Sequence, residues 1–332
     1  MLLVTLFRRK KKRSERIIEL ENNNQVSIIK YLMPGKCRYC SKPAEITFVN
    51  GRLCRDHFFQ FYYEYIEKAI DKYYPLLKRR EFVLAISGGK DSTSLCYALS
   101  ELGYRFSLYH INLGIGDFSK KSLSIVKRIA ADLKLDLFVD DIKKYGIVIK
   151  QIGRRSPCSI CGIVKRYLSN KFCVEQGFKI LTTAHNLDDV VTFIIKDFII
   201  GNIGSLIRNK PALLERKELN LCAKFKPMVF IPEEANYLFL NLKGIEFVRE
   251  ACPLVGGNTQ RKWKAKILNF LKDPACRYQF LVNFYRLLKE YGDKLKPFVE
   301  KEKVKKCKIC GFPTTKDVCS FCRIVKLFKE RK

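Results

Sequence analysis

The sequence lacks the features of a membrane or secreted protein. Among its 332 residues there is no run of eighteen apolar side chains, which a transmembrane helix would need. The apolar stretch at residues 1–7 is short. Its basic residues follow it, whereas those of a signal peptide precede the apolar segment. We therefore predict a cytoplasmic protein that does not enter a membrane.

Acidic residues are also scarce. There are 33 of them against 64 lysines and arginines, which gives a formal net charge of +31. Self-repulsion on this scale destabilises a compact protein unless a polyanion balances it, and nucleic acid is the favoured partner. A halo of solvated lysines is the alternative. With 47% hydrophobic and 12% aromatic residues, the chain can build a large core, and its length predicts about two domains.

Cysteine is abundant, with 14 residues in the chain. In a long basic chain of a reducing compartment, clustered thiols indicate metal sites rather than disulfides. Two sets have the spacing of a four-ligand zinc site, which leaves no position open and is therefore structural. The sets are Cys37, Cys40, Cys54 and His57 near the start, and Cys307, Cys310, Cys319 and Cys322 near the end.

The middle of the chain alternates between apolar strand-like segments and helical ones. Strands are predicted at 82–86, 105–111, 135–139, 179–183 and, last, at 245–248. This alternation is typical of a doubly wound α/β fold with a parallel sheet. The predicted organisation is a flexible basic arm (1–33), a zinc module (34–58), a linker helix (59–78), the α/β domain (79–255), a helical region (256–293) and a second zinc module with a basic tail (294–332). Translation beginning at Met33 is the alternative to the arm.

The segment 87–92 (SGGKDS) joins the first strand of the α/β domain to a helix. Its two glycines allow a tight turn and close approach to a ligand. The free N–H groups at the helix start face an anion there. Ser87, Ser92 and Lys90 add hydroxyl donors and a positive charge. The segment differs from G-x4-G-K-[ST], so a phosphoryl-transfer loop is disfavoured.

SGGKDS resembles the PP-motif of the N-type ATP pyrophosphatases, which cleave ATP to AMP and pyrophosphate. Further matches are the segments 110–116, 157–162, 184–189 and 251–253. With zinc pairs at both ends, the chain resembles the TtuA/TtcA-like tRNA 2-thiolation enzymes, and within them the TtuA and wobble-uridine branch, over about residues 36–325. This resemblance implies an adenine nucleotide alpha hydrolase-like fold and a PP-loop ATP pyrophosphatase domain at 79–255.

The resemblance also implies site residues. Three cysteines of the family bind a [4Fe-4S] cluster with one open iron, and they match Cys158, Cys161 and Cys252. The ATP-site lysine and aspartate of the family match Lys165 and Asp189, and Asp189 either holds Mg²⁺ or orients ATP. The expected catalytic residues are Cys158, Cys161, Cys252, Asp91, Lys165 and Asp189. The expected nucleotide-binding residues are Ser87, Gly88, Gly89, Lys90, Asp91, Ser92, His110, Lys165 and Asp189.

Several alternatives stay open at this point. Cys158 and Cys161 could form a redox pair that carries a persulfide without a cluster. Cys222 could compete as a cluster ligand. His185 could be a base or could fix loop geometry. Family members often have Glu after the aspartate pair where this chain has Val190, which weakens a catalytic role for an acid there.

The implied activity is ATP-dependent transfer of sulfur to C2 of a tRNA uridine or ribothymidine, at wobble position 34 or at position 54. The cofactors expected are ATP, Mg²⁺, two Zn²⁺ and a [4Fe-4S] cluster. The partners expected are tRNA, a sulfur donor such as a ubiquitin-like thiocarboxylate protein, and a second copy of the chain. Alternatives are cytidine 2-thiolation, lysidine-type modification, and a non-catalytic zinc-dependent RNA-binding protein.

Overall fold

A computed structural model describes residues 35–44, 46–49, 51–153, 155–255, 259–295 and 304–330. The predicted basic arm at 1–33 lies outside these residues. The chain divides between Phe61 and Tyr62 into two compact units. In the part that the structure describes, no helix is both long and apolar enough to cross a bilayer.

The first unit is built around an antiparallel hairpin. Strands β1 (Ile46–Phe48) and β2 (Gly51–Leu53) pair with Thr47 opposite Arg52. Helix α1 (Arg55–Tyr73) follows at once and begins earlier than the predicted linker helix at 59–78. Cys54 therefore precedes the first turn of α1, and His57 lies within it. The start of α1 thus places the ligand atoms of Cys54 and His57 3.3 Å apart.

The second unit is an α/β domain followed by helices. Its strands are β3 (Phe82–Ala85), β4 (Phe106–Asn112), β5 (Leu137–Asp141), β6 (Ile180–Thr182), β7 (Ala212–Leu213), β8 (Ala223–Phe225), β9 (Lys305–Lys306) and β10 (Pro313–Thr314). Its helices are α2 (Lys90–Glu101), α3 (Gly116–Asp132), α4 (Pro157–Glu175), α5 (Leu187–Ile199), α6 (Ile203–Arg208), α7 (Glu233–Lys243), α8 (Thr259–Phe270), α9 (Pro274–Leu295) and α10 (Ser320–Lys329).

Six of these strands form one sheet in the order β5-β4-β3-β6-β8-β7. All neighbours are parallel except the edge strand β7, which runs antiparallel to β8. The chain moves outward from β3 to β5 and then returns to β6 on the other side. That reversal brings the carboxyl ends of β3 and β6 together at a switch point, where ligands bind in open α/β sheets.

The prediction of a last parallel strand at 245–248 was wrong. That place in the sheet belongs to β8, where no strand was predicted. Lys224 interrupts the apolar run of β8, so the segment has no strand signal. Residue Val248 instead makes one parallel bridge to Gly89, and its N–H donates to the Gly88 carbonyl at 2.8 Å. The segment supports the predicted phosphate loop rather than the sheet.

The apolar core holds helix α4 against the sheet. Val83, Tyr109 and Leu181 lie on three neighbouring strands and pack in one cluster with Cys173 of α4. The rings of Tyr109 and Phe172 stack with centroids 4.2 Å apart. Strands buried on both faces read as continuous apolar runs, which is why the sequence revealed them.

The C-terminal module packs on the same helix. Ile160, Val164 and Leu168 of α4 share a buried cluster with Phe321 and Ile324 of α10. The rings of Tyr167 and Phe321 stack at 3.8 Å with an interplanar angle of 6°. The Cys307–Cys322 module therefore braces the helix whose first turns carry Cys158 and Cys161.

Candidate active site

The loop between β3 and α2 is held by its own hydroxyl groups. The Ser87 N–H donates to Ser92 Oγ at 3.1 Å, and the Ser92 hydroxyl donates to the Gly89 carbonyl at 3.2 Å. From helix α3, the Ser122 hydroxyl donates to the Ser87 carbonyl at 2.6 Å. The loop is therefore shaped before any ligand arrives, and the N–H groups that open α2 point out of it.

Gly88 is required for this shape. Its φ is +75°, in the left-handed region that favours glycine. A Cβ at this position would also lie 3.1 Å from the backbone oxygen of Ser122. A side chain here would strain the turn and push the loop away from α3, so the predicted need for glycine has a physical cause.

Lys90 belongs to a chain of alternating charges. Its ammonium lies 2.5 Å from Glu233, the first residue of α7. Glu233 also pairs with Lys264 of α8 at 2.5 Å, and Lys264 reaches Asp189 at 2.6 Å. Burial disfavours the charged form of Glu233, but the two lysines prevail and lower its pKa to about 2. Two cations are thus held at the loop by one fully ionised carboxylate.

Asp91 links three helices through hydrogen bonds. Its Oδ1 accepts hydrogen bonds from the amides of Asn186 at 3.1 Å and Asn236 at 2.7 Å. These contacts join the first turns of α2, α5 and α7. Burial raises the pKa of Asp91, which Lys90 opposes. This geometry indicates that Asp91 positions the loop. The catalytic role predicted for Asp91 would then be exerted through the loop.

The start of α5 is fixed by a capping box. The Asn186 side chain accepts from the Asp189 N–H at 3.0 Å, and Asp189 accepts from the Asn186 N–H at 3.4 Å. Asp188 points the other way, into the protein, where its side chain is fully buried against Arg277 of α9. As expected for adjacent residues, only Asp189 faces the loop.

The sequence carries no local signal for the partners that complete this network. Glu233, Asn236, Lys264 and Arg277 lie 75 to 145 positions along the chain from their partners Lys90, Asp91, Asp189 and Asp188, respectively. Pro232 followed by two glutamates does mark a helix start, where acids are common anyway. Nothing local distinguishes Lys264 or Arg277 from surface cations.

The structure brings the three predicted cluster cysteines to one place. The Cys158 thiol lies 3.9 Å from the Leu254 carbonyl, which sets the 252–254 segment against the start of α4. Burial raises the pKa of Cys158, and Cys161 and Cys252 raise it further by their proximity. Cys222 does not join them, because it is buried beside Asn170 and Cys173. The alternative of Cys222 as a ligand has no support here.

The three thiols supply donors of the kind that bind an iron–sulfur cluster. The two zinc-type sets have all ligand atoms within 4.8 Å of one another, and among the described residues the Cys158, Cys161 and Cys252 set does not meet that limit. A cubane spreads its cysteine ligands over separate irons, so it needs wider spacing than one tetrahedral ion. Three ligands leave one iron without a protein ligand.

Lys165 is linked electrostatically to the thiol site and to two histidines. The charge of Lys165 acts on Cys158, His110 and His185. His110 is buried, and its Nδ1 donates to the Ile86 carbonyl at 3.0 Å, while its Nε2 has no partner among the described residues. Burial lowers the pKa of His110. It also lowers the pKa of His185 to about 4, against the effect of Asp189. Both rings are neutral at pH 7, and His110 Nε2 is an open acceptor.

Both predicted zinc sets are assembled. Cys40 and Cys54 have sulfurs 3.7 Å apart, and Cys310 and Cys319 have sulfurs 3.8 Å apart. Tetrahedral coordination at a Zn–S distance of about 2.3 Å places two sulfurs roughly 3.8 Å apart. His57 Nδ1 lies 3.3 Å from the Cys54 sulfur. The donor sets and spacing fit Zn²⁺.

The comparisons agree with this geometry. Residues 62–252 match the family model of the PP-loop domain, and residues 304–323 match that of the RecR zinc finger domain, which has four cysteine ligands. The chain is 37% identical to tRNA-5-methyluridine(54) 2-sulfurtransferase of Thermotoga maritima, over 90% of this chain and 98% of that protein. This chain belongs to the PP-loop tRNA 2-sulfurtransferase family. The family resemblance, the doubly wound PP-loop fold and the C-terminal zinc finger are thereby confirmed.

Two further proteins are similar to this 2-sulfurtransferase family member along most of its length. The enzyme of the same name from Pyrococcus horikoshii is 33% identical over 89% of this chain and 95% of its own length. The solved structure of U34-tRNA thiolase NcsA from Methanococcus maripaludis, with its [4Fe-4S] cluster, has a TM-score of 0.72 at 24% identity. It covers 88% of this chain and 96% of that one. At that identity the second likeness supports the fold alone.

The C-terminal zinc site offers a direct test. Replacing Cys319 by serine should remove about one equivalent of zinc per chain and loosen α10 from α4, because Phe321 follows the lost ligand. A loss of about 2 kcal/mol lowers the melting temperature of a 332-residue chain by roughly 3 °C. Metal analysis and thermal unfolding measure both effects. Cys276→Ser is the control, since Cys276 is exposed. Full zinc content in the Cys319 variant would contradict the site.

Proposed function

We propose that this protein is an ATP-dependent tRNA 2-sulfurtransferase that replaces the C2 oxygen of 5-methyluridine at position 54 by sulfur. The observation that carries the proposal is that one α/β domain holds both a shaped phosphate loop and three thiols from two distant segments, in a chain similar along 90% of its length to an enzyme of that activity. A non-catalytic RNA-binding protein would not require either feature.

Position 54 is favoured over the wobble position by similarity. Relatives named for 5-methyluridine(54) are 33–37% identical, whereas the Xenopus laevis cytoplasmic tRNA 2-thiolation protein 1 is 25% identical and the NcsA of Haloferax volcanii is 24% identical. Cytidine thiolation and lysidine formation find no specific support.

The loop activates the uridine through ATP. The N–H groups at the start of α2, together with Lys90 and Lys264, receive the β- and γ-phosphates when the triphosphate takes the place of Glu233 as their partner. The C2 oxygen attacks the α-phosphorus, and the bond to pyrophosphate breaks. Donors already in place stabilise the charge that grows on pyrophosphate. Asp189 lies where one carboxylate oxygen can meet the Mg²⁺ that accompanies ATP, and His110 Nε2 can accept a hydrogen bond from the adenine.

Sulfur delivery is assigned to the thiol site. Cys158, Cys161 and Cys252 would hold a [4Fe-4S] cluster, and such a cluster would supply sulfur at the sulfide level as the nucleophile. Sulfur forms its bond to C2, and the C2–O bond to AMP breaks, so the exchange needs no net oxidant. The charge of Lys165 acts on both Cys158 and His110, so Lys165 can neutralise charge on the departing AMP. A ubiquitin-like thiocarboxylate donor and a homodimer stay predictions.

The basic surface serves tRNA. Lysines and arginines that contact phosphates give affinity and register without reading sequence. We therefore expect affinity for tRNA to fall steeply with salt, as released counterions are the driving force. A cytoplasmic location is consistent with this substrate and stays a prediction.

Nucleoside mass spectrometry tests the function. Purified protein with reconstituted iron and zinc should convert 5-methyluridine in tRNA to its 2-thio form, with ATP, Mg²⁺ and sulfide supplied. Fragment mapping should place the product at position 54 and should find equimolar AMP and pyrophosphate. Thiolation confined to position 34, or to cytidine, would reject the assignment of the substrate. No thiolation and no pyrophosphate release would reject the enzyme.

A further inference from the structure

A cavity of about 440 Å³ opens beside the thiol site. It lies between α4, which contributes Cys158 and Arg166, and α5, which contributes Phe193 and Lys196. Asn209, at the end of α6, lines it as well. Sites for small molecules are typically 300–1,000 Å³. An occupant of this cavity would lie against a sulfur-bearing residue.

One aromatic side chain joins the cavity to the nucleotide side. The half-buried ring of Phe193 lies edge-on to the ring of His185, with centroids 5.8 Å apart. His185 is fixed in turn by Thr183, whose Oγ1 lies 2.9 Å from its Nδ1. The position of Phe193 is therefore linked to the loop that precedes α5, the helix that carries both Phe193 and Asp189. An aromatic face held in this way is a stacking platform for a base.

The polar lining matches the edge of uracil. The Asn209 amide N–H donates to Asp197 Oδ2 at 2.9 Å, and both side chains are buried. The side-chain oxygen of Asn209 is then left as a hydrogen-bond acceptor, and it can accept from the N3–H of uracil. The ammonium of Lys196 suits the O4 carbonyl. Cytosine has an acceptor at N3, which would oppose the Asn209 oxygen.

Positive charge is concentrated at one part of this lining, where Arg166 itself faces the cavity. Lys224 of β8 lies close enough to Arg166 to feel its charge, and burial lowers the pKa of both. Lys224 and Arg166 have no acidic partner within salt-bridge distance in the described part of the chain. Clustered cations without counter-charges favour an anionic ligand such as a nucleotide phosphate.

We propose that this cavity receives the target nucleotide of tRNA after it leaves the base stack. Phe193 stacks on the uracil, Asn209 and Lys196 read its edge, and Arg166 holds the phosphate. The inference rests on the proposed function, and it deepens it by assigning the site that selects uridine. Enzymes that act on a base inside a folded nucleic acid extrude it into a fitted pocket in this way.

Phe193→Ala tests the cavity, with Phe193→Tyr as the conservative variant and Phe198→Ala as the control. Phe198 is on the same helix but is 70% exposed. In single-turnover thiolation with sulfide as the donor, Phe193→Ala should lower kcat/KM for tRNA about 10- to 100-fold. Phe193→Tyr and Phe198→Ala should stay within about threefold of the parent. Iron content and ATP affinity should not change in any of the three.

Two results would overturn the assignment. One is an unchanged kcat/KM for tRNA in Phe193→Ala. The other is a defect that excess sulfide relieves and excess tRNA does not, since the cavity would then admit the sulfur donor. Saturation-transfer NMR with ribothymidine 5′-monophosphate separates this inference from the proposed function. If the protein thiolates no tRNA but gives an NMR signal that depends on Phe193, the pocket is retained and the proposed enzyme activity is rejected. If the protein gives no NMR signal and thiolates no tRNA, both the pocket and the enzyme activity are rejected.

Discussion

Replacing Cys252 by alanine should abolish tRNA 2-thiolation, with a fall of more than about 100-fold, because residues that act as a unit lose their function together. The variant should also lose the iron–thiolate absorbance of the reconstituted protein. ATP affinity should stay within about twofold, since Cys252 makes no contact with Ser87–Ser92 that the structure records. Single-turnover nucleoside analysis, iron determination and ATP titration measure the three effects.

Cys276→Ala is the matched control for this experiment. Cys276 is exposed, and its thiol lies 3.8 Å from Asp273. It should keep iron, absorbance and activity. A Cys252 variant that retains thiolation but depends on Cys158 and Cys161 would contradict the three-thiol site and favour the persulfide pair, because a redox pair needs no third thiol.

Replacing Arg277 by methionine should destabilise the protein by about 3–5 kcal/mol, since it leaves Asp188 buried without its cation. Arg277 also contacts Glu234 at 2.7 Å, so the start of α7 loses support as well. Urea unfolding and the melting temperature measure the loss. Because α7 carries Glu233, the KM for ATP should rise together with the loss of stability.

The stability loss in Arg277→Met should grow with pH. Burial raises the pKa of Asp188 to about 6, although Arg277 lowers it. Without Arg277 the pKa of folded Asp188 rises further, so the folded state keeps a proton that the unfolded state releases above about pH 4. The free energy of unfolding then falls as pH rises from the unfolded pKa towards the folded one. The loss in free energy of unfolding caused by Arg277→Met should therefore be smaller at about pH 5 than at about pH 8.

Two controls accompany that variant. Arg128→Met removes an exposed ion pair with Glu246 and should cost less than about 1 kcal/mol at either pH. The double variant Arg277→Met/Asp188→Asn removes both buried charges and should recover much of the loss, mainly at the higher pH. A pH-independent deficit that the double variant does not relieve would show that packing of Arg277, rather than its charge, stabilises this region.

Prediction from sequence succeeded where the chemistry depends on neighbours along the chain. The Ser87–Ser92 loop needs a strand before it and a helix after it, and both are visible as an apolar run and a helical period. A zinc-binding pair needs two thiols separated by two residues, and this spacing is visible in the sequence. Strand β8 was not predicted because Lys224 interrupts its apolar pattern. The apolar segment 245–248 was predicted as a strand but supports the phosphate loop instead.

By itself, the sequence determined the phosphate loop, both zinc sets and the parallel sheet, because each depends on spacing of a few residues. Only the tertiary structure decided what meets at the end of that sheet. Leu254, which follows Cys252 closely, contacts Cys158 from 96 positions away, and Lys264 reaches Asp189 from a helix that carries no motif. Partners so far apart in sequence are selected by packing and by the cost of burying an unpaired charge, and neither leaves a local pattern.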